Sequence, residues 1–220
     1  MHKKRKNLID WDQIKADLID GIIALNIRLT NDQLKKLLDY LVLLDKWNST
    51  YNLTAVRNPQ AMLTYHLLDS LAVVQYLSES ENLLDVGSGG GLPGIVLSIV
   101  YPDKKVSMID IVQKKTAFLN QVKIELGLSN VTVYTGRVEE LEVEEPFDGI
   151  ISRAFASLND FVSLSSHLLS ENGLFYAMKG LIPEDEISTL ESGWTVKRIE
   201  ALKVPQLDAQ RHLLFIDKKK

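Results

Sequence analysis

A strand that runs directly into a cluster of glycines is the feature of this sequence that most limits its fold. Residues 83–86, which read LLDV, are followed by residues 87–94, which read GSGGGLPG. Glycine tolerates positive φ and lets the backbone approach a ligand closely, and proline is favoured in the first turn of a helix. The stretch therefore predicts a strand, a tight turn and a helix, with a ligand beyond the carboxyl end of the strand.

The spacing of these glycines narrows the class of ligand. A P-loop requires Gly-Lys-Ser/Thr, and this turn contains no lysine. The dinucleotide pattern G-x-G-x-x-G fits only in the later frame that begins at Gly89, since the frame from Gly87 has Leu92 at its third position. The pattern Asp-x-Gly-x-Gly-x-Gly that begins at Asp85 instead resembles motif I of S-adenosylmethionine-dependent methyltransferases. A carboxylate there would repel a pyrophosphate but suits a sulfonium ligand with an ammonium group.

From residue 82 onward, short apolar runs alternate with helical patterns. Seven strands are predicted, at residues 83–86, 106–110, 131–134, 149–152, 174–178, 195–199 and 213–216. Helices at 93–100 and 114–126, with helical stretches between the first five or six strands, imply right-handed crossovers and a mainly parallel sheet. Residues 203–211 read as an irregular connection, so the last strand should be antiparallel. We expect an α/β fold: a Rossmann-like, seven-stranded class I methyltransferase sheet with an antiparallel last strand.

Residues 8–80 lack this alternation and read as helices. Leucines recur at helical spacing after Thr30, which is placed to cap the first long helix. A further helix should start at Asn58-Pro59. We expect an N-terminal helical extension, residues 1–80, that packs on the core, followed by an S-adenosylmethionine-binding methyltransferase domain, residues 81–220.

Two acidic residues follow the next strands at the same edge of the predicted sheet. Asp110 ends the second strand, where a carboxylate can accept hydrogen bonds from ribose hydroxyls, as it also does in dinucleotide sites. Glu139 follows the third strand, where folds of this type place contacts to adenine. Several other acidic residues lie near Glu139 in the sequence, so a plain surface role stays open for it.

The end of the fourth predicted strand, Ser152-Arg153, restricts the methyl acceptor. Enzymes that methylate exocyclic amines of bases usually carry Asn/Asp-Pro-Pro-aromatic here, and this chain does not. Methylation of a base carbon at C5 needs a cysteine nucleophile, and the chain has no cysteine. The methyl acceptors that remain are a base atom with an accessible lone pair, a small molecule or a protein. Guanine N7 fits because it carries no proton, so the reaction needs no general base. Orientation of the reactants alone can then lower the activation barrier by roughly 7–11 kcal/mol.

Basic side chains gather at the carboxyl edge of the predicted sheet. They are Lys114, Lys115, Arg153, Lys179, Arg211 and His212. Such groups can hold phosphates and the O6 or N7 atoms of guanine. We predict RNA contacts for the three lysines and for Arg211. No acid–base catalyst is assigned, and Arg153 is the one candidate for a catalytic role.

Composition and charge set the remaining expectations. The 220 residues, 45% of them apolar, suffice for one core with a small appendage. The absence of cysteine excludes disulfides and cysteine-ligated zinc, and no metal site is predicted. No apolar run reaches about 18 residues and the N-terminus lacks a secretory signal, so we expect a cytoplasmic protein that does not span a membrane. We also expect a monomer. The net charge of −4 argues against nucleic acid, but basic tails at residues 3–6 and 218–220 soften this argument.

Six short motifs are spread along the part of the chain that is predicted to fold. They are Trp47-Asn48…Tyr51-Asn52-Leu53-Thr54, His66…Leu68-Asp69-Ser70, the stretch from Asp85 to Ile95, Arg137-Val138-Glu139-Glu140, Ser152-Arg153-Ala154 and Met178-Lys179-Gly180. Together they resemble the RsmG (GidB) family of bacterial methyltransferases that act on small-subunit ribosomal RNA. The resemblance runs from about residue 35 to residue 216, and the set of motifs is specific where the glycine loop alone is not.

The resemblance implies a reaction, a partner and a set of site residues. The reaction is methyl transfer from S-adenosylmethionine to N7 of one guanine in 16S rRNA, guanine 527 in rRNA numbering, by in-line displacement without a covalent intermediate. The product of the donor is S-adenosylhomocysteine, and the partner is 16S rRNA or the 30S subunit. Carried over by motif, cofactor contacts fall on Gly87, Leu92, Val138, Glu139 and Arg153, and the strand and loop analysis adds Asp85, Gly89 and Asp110.

Other interpretations stay open on the residues alone. A methyltransferase for a small molecule or protein would have a closed, apolar acceptor pocket, and a non-catalytic nucleotide-binding module would bind the cofactor without turnover. His66 and Asp69, spaced i, i+3 with no third ligand, are expected to make structural hydrogen bonds rather than bind a metal. Trp47, Tyr51 and Asn52 are expected to pack the helical part onto the domain, with stacking on RNA bases as the alternative.

Overall fold

The computed structural model describes residues 9–153, 155 and 157–219. The basic residues 3–6 and Lys220, predicted as parts of the tails, lie outside the described residues. The α-helices of the described part are α1 (Trp11–Ala24), α2 (Asn31–Tyr51), α3 (Pro59–Met62), α4 (Asp69–Leu71), α5 (Gly94–Val100), α6 (Gln113–Glu125), α7 (Leu158–Ser165) and α8 (Glu184–Ser188). A π-helix, Leu63–Leu68, joins α3 to α4, and 3-10 turns occur at Val74–Tyr76, Val138–Glu140 and Ser166–Leu168.

Seven strands form one sheet. They are β1 (Asn82–Val86), β2 (Lys105–Asp110), β3 (Val131–Thr135), β4 (Phe147–Ser152), β5 (Leu169–Lys179), β6 (Trp194–Ala201) and β7 (His212–Lys218). Their order is β3-β2-β1-β4-β5-β7-β6. The first five strands are parallel, and β7 lies between β5 and β6, antiparallel to both. The carboxyl ends of β1 to β5 and the amino end of β7 therefore meet at one edge, which is where ligands bind in open α/β sheets.

The seven predicted strands and the antiparallel β7 are confirmed. One connection differs from the sequence prediction: between β3 and β4, the helical stretch is reduced to the single 3-10 turn Val138–Glu140. The residues that follow this turn include Glu142, Glu144 and Glu145. They leave no apolar stripe that a longer helix could bury against the sheet.

Two of the N-terminal helices, α2 and α3, begin where the sequence predicts. Oγ1 of Thr30 accepts a hydrogen bond from the Gln33 amide at 3.2 Å, and Oε1 of Gln33 accepts one from the Thr30 amide at 2.9 Å, which makes a capping box. Asn58 caps α3 in the same way through its side chain. Gln33 also donates to the carbonyls of Ile99 and Val100 at 3.0 Å each, so α2 satisfies carbonyls that the end of α5 leaves free.

Two apolar clusters form the core, one on each face of the sheet, because alternate residues of each strand point to opposite faces. One cluster joins α1, α2 and the π-helix to α5 and α6, and the other packs α7 against β4 and β5. Trp47 of α2 packs as expected, with its ring 5.5 Å from Phe118 of α6 and 5.0 Å from Tyr51. The helical N-terminal part therefore shares a core with the rest of the chain. None of the described helices combines the length and the apolar character that a membrane span needs.

Candidate active site

The glycine loop after β1 turns sharply and is anchored on the end of β2. Gly87, Gly89 and Gly91 have φ of 69°, 57° and 93°, a region that residues with a side chain seldom adopt. The amides of Gly87 and Ser88 both donate to the carbonyl of Ile109, at 2.9 and 3.2 Å. The loop is therefore a fixed element between two parallel strands and not a flexible turn.

Close packing also requires glycine at position 91. A Cβ atom there would lie 2.5 Å from Cγ1 of Ile95 and 2.8 Å from Cδ2 of Leu119. These two side chains belong to α5 and α6, so the loop lies directly on the helices that follow β1 and β2. Such a close approach leaves no room for any larger residue at this point of the loop.

Asp110, at the end of β2, gathers three donors on one buried carboxylate. Its Oδ2 accepts from the Gly89 amide at 2.9 Å and from Nζ of Lys115 at 3.4 Å, and its Oδ1 accepts from the Val112 amide at 2.9 Å. The side chain of Asp110 is only 5% exposed. Lys115 of α6, predicted as an RNA contact, is thus paired with Asp110 at the carboxyl end of β2.

A cavity of about 370 Å³ opens beside this carboxylate, and we call it the first cavity. It is lined by Val86, Gly87, Ile109, Asp110, Ile111, Val112, Lys115, Gly136, Arg137, Val138, Glu139, Phe155 and Leu164. Apolar side chains form most of its wall, and its volume is within the usual range for small-ligand sites. A hydrogen bond from its own backbone amide lowers the pKa of Glu139, and the Arg137 hydrogen bond at 3.2 Å acts in the same direction, whereas burial acts in the opposite one.

Asp85 and Leu92 lie beneath the glycine loop and do not line the first cavity. Both are buried, and Oδ2 of Asp85 accepts from the Gly94 amide at 2.8 Å, while its Oδ1 has no partner. Burial raises the pKa of Asp85 to about 7, although the Gly94 hydrogen bond and the charge of Arg153 act in the opposite direction. Asp85 therefore stabilises the end of the glycine loop from its buried side, through the hydrogen bond from Gly94.

A second cavity, of about 350 Å³, lies on the other side of the end of β4. It is lined by Val56, Tyr65, His66, Asp69, Arg153, Met178, Lys179, Gly180, Leu202, Arg211 and His212. Three of these residues are cations at neutral pH, and Lys179 is paired with Glu186 at 3.0 Å. The N-terminal helical segment forms one wall through Tyr65, His66 and Asp69, so this cavity is built from both parts of the chain.

Arg153 and Arg211 share one carboxylate in the second cavity. Nη1 of Arg153 donates to the carbonyl of Tyr65 at 3.1 Å and to Oδ2 of Asp69 at 3.3 Å. Nε of Arg211 donates to Oδ1 of Asp69 at 2.9 Å. Asp69 is 2% exposed, so both arginines are held by a carboxylate that water hardly reaches.

Two histidines complete the wall of the second cavity. Nε2 of His66 is 2.7 Å from Oγ1 of Thr54, and burial together with the charge of Arg153 lowers the pKa of His66 to about 4. His66 is therefore neutral at pH 7. Nδ1 of His212 donates to the carbonyl of Gly180 at 2.7 Å. The described residues contain no cluster of three or more acidic, histidine or cysteine side chains that could hold a metal ion.

Comparison with known proteins places this chain in a family. The family model described as rRNA small subunit methyltransferase G (GidB) matches residues 33–214. This chain belongs to the GidB family. A relative from Janthinobacterium sp. (strain Marseille), named ribosomal RNA small subunit methyltransferase G, is 55% identical over 205 residues, which are 91% of this chain and 93% of the relative.

Solved structures agree with a methyltransferase fold for this GidB protein. A ribosomal protein L11 methylase from Lactobacillus delbrueckii superposes with a TM-score of 0.54 at 18% identity, over 74% of this chain and 80% of that one. A methyltransferase from Thiobacillus denitrificans in complex with S-adenosyl-L-homocysteine gives a TM-score of 0.52 at 13% identity, over 69% and 90% of the two chains. The fold is that of class I S-adenosylmethionine-dependent methyltransferases.

The residues predicted for the site do not all lie together in this GidB chain. Gly87, Asp110, Lys115, Val138 and Glu139 line the first cavity, whereas Arg153, Lys179 and Arg211 line the second. Gly89 holds Asp110, while Asp85 and Leu92 lie buried behind the loop. Lys114 is exposed in the first turn of α6 and lines neither cavity.

Sequence reasoning missed the residues through which the helical part reaches the site. The hydroxyl of Tyr40, on α2, donates to the carbonyl of Gly90 in the glycine loop at 2.7 Å, and Tyr40 is fully buried. Its position on the apolar face of α2, one turn after Leu37, indicated burial but not the partner. Tyr65 is 46% exposed at the mouth of the second cavity and carried no signal in the sequence.

Proposed function

We propose that this protein transfers a methyl group from S-adenosylmethionine to N7 of a specific guanine in 16S rRNA, the guanine numbered 527 in the rRNA. The observation that carries the proposal is the placement of Arg153. It lines the second cavity, and its charge also acts on Asp85 behind the glycine loop of the first. Phe155, two residues later, lines the first cavity, so the segment after β4 borders both a nucleoside-sized cavity and a cationic one, as transfer from a small donor to RNA requires.

The first cavity fits the donor. Ile111, Val138 and Leu164 supply apolar surface for an adenine ring, and Asp110 and Glu139 supply carboxylates for hydroxyl and amine donors. Both cations that line the cavity, Lys115 and Arg137, are paired with its two carboxylates, so no uncompensated positive charge is left to attract a pyrophosphate. When bound, the donor supplies an electrophilic methyl carbon on a sulfonium centre.

The second cavity fits an RNA acceptor. Arg153, Lys179 and Arg211 present charged N–H donors, which suit phosphates and guanine O6. A closed, apolar pocket, expected for a small-molecule acceptor, is not what these residues form. Tyr65, partly exposed at the mouth, offers a ring on which an unstacked base can lie.

Positioning is the chemical task left to the chain. N7 of guanine has an in-plane lone pair and no proton, so no residue has to remove one during the displacement. His66, neutral at pH 7, adds no charge to the acceptor side. The residues of the second cavity then act by holding the guanine in line with the methyl group, which is the kind of contribution that orientation supplies.

Labelled methyl transfer tests the proposal. The protein is incubated with methyl-labelled S-adenosylmethionine and 30S subunits that lack the modification, in parallel with naked 16S rRNA and with free guanosine. We expect label on one guanine of the RNA, released by reduction and aniline cleavage, which is specific to N7-methylguanine. Label at an exocyclic amine, on free guanosine alone, or on a ribosomal protein would refute the proposal.

A further inference from the structure

We propose that Asp69 is a positioning residue: it holds the guanidinium groups of Arg153 and Arg211 side by side, so that together they fix the phosphate backbone at the target guanine. The inference rests on the proposed function and goes beyond it, because it assigns a role in the acceptor site to the helical segment before β1. Asp69 belongs to a motif that the cofactor site leaves unused.

The geometry is that of a bridge. Each oxygen of the Asp69 carboxylate binds one arginine, with Oδ2 3.3 Å from Nη1 of Arg153 and Oδ1 2.9 Å from Nε of Arg211. Arg153 follows β4 and Arg211 immediately precedes β7, so the bridge joins three elements that lie far apart in the sequence. Only a carboxylate can accept from both sides in this way, since an amide has a single acceptor oxygen.

Both arginines keep donors for a ligand. Arg153 uses Nη1, and Arg211 uses Nε together with Nη1, which donates to the carbonyl of Gln210 at 2.8 Å. Neither Nη2 atom makes a hydrogen bond among the described residues. A guanidinium carries five N–H groups, so each arginine can still bind a phosphate oxygen while Asp69 fixes its orientation.

The balance of charge supports a phosphate. Asp69 offsets one of the two guanidinium charges, and Glu186 offsets that of Lys179. About one positive charge therefore remains in the second cavity, which matches a phosphodiester monoanion. A cavity with several uncompensated cations would also oppose the positive charge that N7 methylation places on the guanine ring.

The local backbone gives a second, independent observation. The π-helix Leu63–Leu68 ends directly before Asp69 and includes Tyr65 and His66, which line the same cavity. π-Helical turns are rare and occur frequently at functional sites. A buried ion network adds little stability compared with an apolar core of similar shape, so stability alone does not account for a carboxylate here.

The variant Asp69→Asn distinguishes a positioning role of Asp69 from a purely electrostatic effect on RNA binding. The variant keeps the shape of the side chain, loses one acceptor and makes the second cavity more positive by one charge. We expect S-adenosylmethionine affinity by calorimetry to stay unchanged and the KM for 30S subunits to stay equal or fall. We expect kcat to fall by about tenfold to a hundredfold, which is the scale of a small misplacement of reactants. Unchanged or increased kcat would overturn the proposal, because attraction of RNA by charge alone predicts that result.

Two further variants make the test decisive. Glu145→Gln removes an exposed carboxylate that pairs with Lys105 at 2.5 Å and lines neither cavity, and it changes the net charge by the same amount. Its kcat should equal that of the wild type. Arg211→Lys keeps the charge but loses the Nε bond to Asp69, so it should reproduce the kcat loss even where Asp69→Asn fails to fold. A lysine variant with wild-type kcat would refute the bridge.

The same assay distinguishes the two proposals. Wild-type protein that does not methylate guanine N7 in 30S subunits would refute the proposed function. Wild-type methylation at N7 with undiminished turnover in either Asp69→Asn or Arg211→Lys would refute the positioning role of Asp69 and leave the function standing.

Discussion

The backbone amide of Gly89 donates to Oδ2 of Asp110 at 2.9 Å, so the turn after β1 is fastened to the end of β2 by the carboxylate that faces the first cavity. One side chain thus shapes the loop and presents its charge to the first cavity. Glycine at position 89 adopts a φ of 57° without the strain that a side chain would cause there, and in this conformation its amide donates to the carboxylate.

Replacing Asp110 should weaken donor binding. Asp110→Asn keeps the side chain's size but cannot accept from Gly89 and Val112 through two oxygens at once. A hydrogen bond to a charged group contributes about 1.5–3 kcal/mol, so we expect the affinity for S-adenosylmethionine to fall by roughly tenfold to a hundredfold. Isothermal titration calorimetry measures this. Asp103→Asn, an exposed aspartate in the turn before β2, serves as the control and should bind normally.

Tyr40 should contribute to the free energy of unfolding through its hydrogen bond to the glycine loop. Its buried hydroxyl donates to the Gly90 carbonyl at 2.7 Å. Tyr40→Phe leaves that carbonyl without its partner, and we expect a loss of about 1–3 kcal/mol in the free energy of unfolding, seen as a lower urea midpoint. Tyr51→Phe removes a hydroxyl from a residue that is 43% exposed, and its midpoint should not move. Equal midpoints for the two variants would mean that α2 does not support the loop.

Much of the fold follows from short-range patterns in the sequence. Parallel strands that are buried on both faces appear as continuous apolar runs, and Thr30 caps α2 as the sequence predicts. The position of the glycine loop and Asp110 at the same edge of the sheet also follows from the sequence, because parallel strands bring their carboxyl ends to one edge.

The second cavity could not be read from the sequence in the same way. Its central carboxylate, Asp69, binds residues that lie 84 and 142 positions later in the chain. No local pattern encodes which distant charges meet, and the i, i+3 spacing of His66 and Asp69 pointed only to structural hydrogen bonds. Likewise, the sequence grouped Lys114 with Lys115, although the helical turn directs only Lys115 into the first cavity.

That difference between neighbouring lysines is testable. Lys114 is exposed, so Lys114→Ala should lower the slope of log affinity for RNA against log salt by about 0.7–0.9, the value of one phosphate contact, without changing donor binding. Lys115→Ala should leave the slope unchanged and weaken S-adenosylmethionine binding by about threefold, since the ion pair with Asp110 is lost. Filter binding across a salt series, with calorimetry for the donor, checks both. A reversed pattern would reassign the two lysines.

The packing of the glycine loop predicts unequal costs at two glycines with positive φ. At Gly91 a methyl group would lie within 2.8 Å of both Ile95 and Leu119, whereas at Gly127 nothing lies within 4 Å. Gly127→Ala should cost about 1–2 kcal/mol for backbone strain, and Gly91→Ala about 1–3 kcal/mol more for the steric conflict. Urea unfolding at constant m value measures the difference. Similar costs for the two variants would show that α5 and α6 yield to the added methyl group.

Asp85 should make the stability of the ligand-free protein depend on pH. Burial raises the pKa of Asp85 from 3.8 to about 7, so between these values the unfolded chain gives up the proton while the folded protein retains it. The contribution of Asp85 to stability is therefore fully present below about pH 4 and is lost as the pH rises towards 7.

Comparison with Asp85→Asn isolates this contribution, because all other groups titrate alike in both proteins. We expect the variant to gain stability relative to the wild type as the pH rises from 4 to 7, with a slope that approaches about 1.4 kcal/mol per pH unit, and the difference to level off at pH 8. Urea unfolding at several pH values provides the difference curve. A flat curve would mean that the nearby charge of Arg153 and the Gly94 amide already keep Asp85 ionised in the folded protein, and the raised pKa would then be wrong.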